Sequence, residues 1–65
     1  MKKAIPVDVY DKDGNLAKIE VNDASGEHIV DFLWDHRDEQ TSENRIKFRE
    51  WAYRILGQKE YEVPR

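Results

Sequence analysis

The chain has no cysteine. Disulfides, thiolate metal sites and a cysteine nucleophile are therefore excluded together. Long apolar runs are also missing. Lys2 and Lys3 are followed by Ala4-Ile5-Pro6-Val7-Asp8, far too short for the apolar core of a secretory signal. No stretch approaches the roughly 20 apolar residues of a membrane span. These absences lead to the expectation of a soluble, cytoplasmic protein with no membrane partner. Glycine is scarce. Gly14, Gly26 and Gly57 are isolated, so a glycine-rich phosphate loop is ruled out. Histidine is scarcer still. His28 and His36 sit eight apart, whereas a zinc pair on one helix needs a spacing of four. No metal or cofactor is expected.

What is present points to one small folded domain, residues 1–65. A domain of this size buries roughly 60% of the surface its unfolded chain exposes, so its stability is marginal. Without disulfides or a metal, tight packing, self-association or a partner must supply the rest. Charged residues make up 38% of the chain, but seven aromatics and well-patterned apolar positions separate it from disordered sequences. The net charge is −3. Residues 1–41 are acidic, with a local net of −5, and residues 42–65 carry +2.

Residues 4–10 alternate, with Ile5, Val7 and Val9 on one side and Ala4, Pro6, Asp8 and Tyr10 on the other. Period two with β-branched residues predicts a strand. Pro6 lacks a ladder donor and places that strand at an edge. Asp11-Lys12-Asp13-Gly14-Asn15 has the composition of a tight turn. It also resembles the opening of a calcium-binding EF-hand loop. However, Leu16 stands where that loop needs glycine, and Asn22 where it needs glutamate. Residues 16–21 alternate again, and the pair predicts a β-hairpin.

The segment from Glu27 to Glu39 reads as an amphipathic helix. Glu27, Asp31, Asp35 and Asp38 fall on one side at helical spacing, and Ile29, Phe32, Leu33 and His36 on the other. Asp23 or Ser25 would cap it. A second helix is predicted over residues 43–56, capped by Thr41 or Ser42 and ended by Gly57. Residues 59–63 alternate and would form a short last strand. No internal repeat stands out. The expected fold is α+β in two layers: an N-terminal hairpin followed by two helices, ββαα, or ββααβ with the last strand. Its core would hold Val7, Val9, Ile19, Val21, Ile29, Phe32, Leu33, Trp51, Ile55 and Leu56.

Catalysis finds little support. Ser25, Thr41 and Ser42 are accounted for as caps, and neither histidine has a patterned nucleophile beside it. Carboxylates on an outward face lack the burial that splits their pKa values. No catalytic residue is assigned. The leading reading is a non-enzymatic protein-binding module. Glu27, Asp31, Asp35 and Asp38, with Trp34 at their edge, would dock a basic surface of a larger protein. A 65-residue acidic domain starting at its own methionine suits a compact regulator or inhibitor of the kind phages and mobile elements encode. The alternative is a DNA- or RNA-binding regulator using Arg45, Lys47, Arg49 and Arg54 on the second helix, although the acidic net charge works against it. A third reading is a homodimer, because the apolar girth of that helix from Trp51 round to Ile46 and Tyr53 exceeds what one thin sheet covers.

Overall fold

The structure, a computed structural model, describes residues 2–64. It has four strands and one helix: β1 (Lys2–Tyr10), β2 (Leu16–Asp23), β3 (His28–Leu33), α1 (Ser42–Gln58) and β4 (Tyr61–Glu62). The strands form a single sheet in the order β3-β2-β1-β4. β1–β2 and β2–β3 are antiparallel, while β4 runs parallel to the start of β1, pairing Lys2 with Tyr61 and Lys3 with Glu62.

The hairpin forms as its alternation predicts. Its turn is closed by Asp11, whose Oδ1 accepts the backbone N–H groups of Asp13 and Asn15 at 2.9 and 3.0 Å. Gly14 takes the positive φ of +81° that the turn requires. This carboxylate serves the backbone, as a turn aspartate does. The helix over the second half also forms. Thr41 caps it, its hydroxyl oxygen accepting the Asn44 N–H at 3.1 Å, and Glu43 lies in the first turn. The helix runs past Gly57 to Gln58, and Glu60, at φ 66°, takes the left-handed position beyond it.

The expected helix between Glu27 and Glu39 does not exist, and the fold is not ββαα. Glu27 lies in a loop, His28–Leu33 is a strand, and residues 34–38 turn back toward α1. The physical reason is a degeneracy in the spacing. Residues four apart share a face of a helix, but four is even, so they also share a face of a strand. Within the segment, Val30 and Phe32 alternate with Ile29, Asp31 and Leu33. Pairing with β2 sets Val30 against Val21 and Phe32 against Ile19. That places two apolar pairs under α1, while a lone helix of this length is marginal in water.

A second signal separates the strands. Asp11, Asp23 and Asp35 are spaced twelve apart, and each closes a turn. Asp23 Oδ1 accepts the N–H groups of Ser25 (2.9 Å) and Glu27 (3.0 Å) and the Ser25 hydroxyl (2.6 Å), with Gly26 at φ +90°. These bonds hold the Asp23 carboxyl below its ordinary pKa, the Ser25 hydroxyl contributing most. Asp35 Oδ1 accepts the Arg37 N–H at 2.9 Å. In all three, the N–H three residues on donates to the aspartate's own C=O, at 3.0–3.1 Å.

The helix packs on one face of the sheet. Ala4, Ile19, Val21, Phe32, Ala52 and Leu56 form the buried cluster, with Phe48, Tyr53, Ile55 and Val63 packed against it. Ile19, Val21, Phe32 and Leu56 were expected there. Val7 was also expected there, yet it is 48% exposed and Val9 is only half-buried. The β1–β2 register explains this. Ala4, Pro6 and Asp8 lie opposite Asp23, Val21 and Ile19, so the even residues of β1 face the helix. Asp8 completes that choice by pairing with Arg49 of α1. Ile5 and Val7 consequently lie on the open face. Leu33 and Trp51 are corrected too, at 70% and 41% exposure.

Candidate functional site

The strand order leaves β3 at one margin of the sheet, beside α1. β2 covers one side of β3, and its other side has no strand partner among the described residues. At the end of β3 the chain turns, and the turn is internally built. The Trp34 backbone N–H donates to Ala17 O at 3.0 Å, and its indole N–H donates to Asp38 O at 3.1 Å. The Trp34 ring stands edge-on to Phe48, with centroids 5.1 Å apart. Gln40 closes the segment: its side-chain amide donates to Leu16 O at 3.0 Å and accepts from Leu16 N–H at 3.1 Å, as a neighbouring strand would.

Between this turn and α1 lies an open groove of about 540 Å³. Leu33 and Trp34 line its sheet side, and Asn44, Lys47, Phe48 and Trp51 its helix side. The helix residues recur at three- and four-residue spacing, which puts them on one stripe. Trp51 stacks on Phe48 at 6.0 Å and meets Phe32 edge-on at 5.3 Å. The wall is therefore a run of aromatic rings from the buried Trp34 out to the half-exposed Trp51, with the exposed Leu33 opposite. Asp35 and Asp38 complete the rim. Arg37 clasps Asp35 through its guanidinium, at 2.8 Å for the closest contact, and lowers the Asp35 pKa from 3.8 to about 2. Lys47 is engaged by Glu43 at 3.2 Å.

Of the residues expected to bind a partner, the structure brings Trp34, Asp35 and Asp38 together. Trp34 is buried and organises the turn instead of standing at a wet edge. Glu27 and Asp31 lie outside the groove. Glu27 sits in the β2–β3 loop, where its N–H donates to Asp23. Asp31 projects from β3 beside Lys18 and His28. The acidic row along a helix is thus replaced by two carboxylates at a groove mouth. Leu33 and Trp51 were missed because they read as core, and Phe48 because it carries no charge or motif that singles it out. The excess apolar girth of the second helix was the signal, since a ring that one sheet cannot cover remains at the surface.

The basic residues of α1 do not form one patch. Arg49 pairs with Asp8, Lys47 with Glu43, and Arg45 donates to Gln40 O at 3.2 Å. Arg54 shares a second open pocket with Arg49, Ile46, Glu50 and Tyr53, while Lys47 lines the first groove. The opening of the EF-hand-like segment is taken up by the Asp11 turn. His36 was placed on an apolar face by helical spacing, and it is exposed in the turn. No helix is long and apolar enough to cross a membrane among the described residues. No protein-family model, curated protein or solved structure matches the chain.

Proposed function

We propose that this domain is a non-enzymatic protein-binding module, a small cytoplasmic regulator or inhibitor that captures an extended segment of a larger protein. The segment would lie along the free margin of β3 as an added strand. Its main chain would bond the open edge, and alternate side chains would enter the groove. An apolar side chain would sit between Leu33 and Trp51, and a flanking arginine or lysine would meet Asp35 and Asp38. The observation that carries this reading is the exposed Trp51, stacked on Phe48 beside an unpaired strand edge. A half-exposed tryptophan over a groove is the kind of anchor that dominates binding energy. The rim carboxylates add selectivity for basic segments and speed encounter more than they add affinity.

The test is selection from a random peptide library displayed on a carrier, with counter-selection on the Trp51→Ala variant. Retained peptides should combine β-forming apolar residues with a flanking cation, and their binding should weaken with salt and in Asp38→Lys. Peptides without a basic bias, or bound equally by Trp51→Ala, would overturn the proposal.

A further inference from the structure

We propose a second site on the open face of the sheet, where Glu20, His28 and Asp31 bind a divalent transition-metal ion of the zinc type. Register creates it. β2–β3 pairing sets Glu20 directly opposite Asp31, and Asn22 opposite His28. Between those pairs the ladder slips: Val21 faces Val30, so Ile29 is an extra residue on β3. In a regular strand residues three apart point to opposite faces. The bulge reverses that for His28 and brings its imidazole onto the face that carries Asp31. Nδ1 then lies 3.8 Å from Glu20 Oε1, and Nε2 lies 3.8 Å from Asp31 Oδ2.

One ring nitrogen and one oxygen from each carboxylate lie within 4.8 Å of one another. Zinc holds such donors at about 2.0–2.2 Å, hence about 3.4 Å apart in a tetrahedron. Side-chain rotation alone covers that difference, because all three side chains are a third to a half exposed while their backbones are fixed in the ladder. An imidazole with two carboxylates suits zinc and its neighbours, and three protein ligands leave the fourth position to water. Two carboxylates placed directly across a strand pair also repel, a cost to the sheet that a bound cation removes. Lys18 Nζ stands 3.5 Å from Asp31 Oδ2 and competes with the ion. The site shares β3 with the groove but none of its lining residues.

The experiment is calorimetric titration of the protein with zinc chloride, together with imidazole NMR signals. Expected are one saturable site, a zinc-dependent shift at His28, and affinity weakened about tenfold or more by His28→Ala and by Glu20→Gln. His36→Ala should bind zinc unchanged, and Lys18→Met should bind it more tightly. Circular dichroism establishes that each variant is folded. Equal affinity in folded His28→Ala, or equal losses in His28→Ala and His36→Ala, would overturn the site.

Discussion

Asp35 shows how much of this molecule rests on single aspartates that answer their own backbone. Arg37 supplies both a backbone N–H and a guanidinium, and the folded pKa falls from 3.8 to about 2. A depressed carboxyl pKa stabilises the folded state through its charged form. That contribution is complete above the ordinary value and is lost as the pH falls through about 2. Asp23 follows the same sign, held down by Ser25 and the amides after it. Carbon-detected NMR of the Asp35 carboxyl should give a midpoint near 2, moving back toward 3.8 in Arg37→Ala. An unmoved midpoint would show that the backbone amide alone sets it. These aspartates were visible in the sequence, and Asp11 was read correctly as a turn former. The sequence reading makes Asp23 a helix cap, since a side chain that accepts amides two and four residues on serves a turn as well as a helix start, and Asp35 a docking charge, although it accepts the amide two residues on.

At the scale of elements, the hairpin and α1 were legible because each has one reading. Ile5, Val7 and Val9 alternate before Asp-Gly, and Thr41 precedes a long apolar period with an acid in the first turn. The segment after Gly26 has two readings, and its strand form is selected by a distant partner, β2. Which side of β1 faces the core was also hidden. Periodicity alone pointed Val7 and Val9 inward, but the Asp8–Arg49 contact and the fit of Ala4 under α1 turn them outward. Gln40 is the clearest long-range element. No local pattern reveals that its amide replaces a strand beside Leu16. Gln40→Ala leaves the Leu16 N–H and C=O unmet in a partly buried place and should destabilise by about 1–3 kcal/mol, read as a lowered urea midpoint at unchanged slope. An unchanged midpoint would mean that water serves Leu16 equally well.

The whole molecule is a thin sheet with one helix, too small to hide all its aromatic surface. Tyr10 is exposed at the end of β1, and Trp51 ends a helix stripe that faces the last residues of β3, a strand with no outer partner among the described residues. The sequence held the ingredients of the site, Trp34, Asp35, Asp38 and a helix of excess apolar girth. It did not hold their arrangement, because a turn and not a helix carries the carboxylates to the groove. Leu33→Asp tests the arrangement at little structural cost. At 70% exposure the side chain contributes little to folding, so stability should change by no more than about 0.5 kcal/mol while peptide capture is lost. The most direct test is a titration of the labelled domain with the tightest peptide from the library, followed by amide NMR and hydrogen exchange. Shifts are expected at Leu33, Asp38, Lys47 and the Trp51 indole, with slowed exchange along the outer margin of β3. Shifts confined to Ile5 and Val7 on the open face, or to Arg49 and Arg54, with β3 exchange unchanged, would contradict the proposed docking.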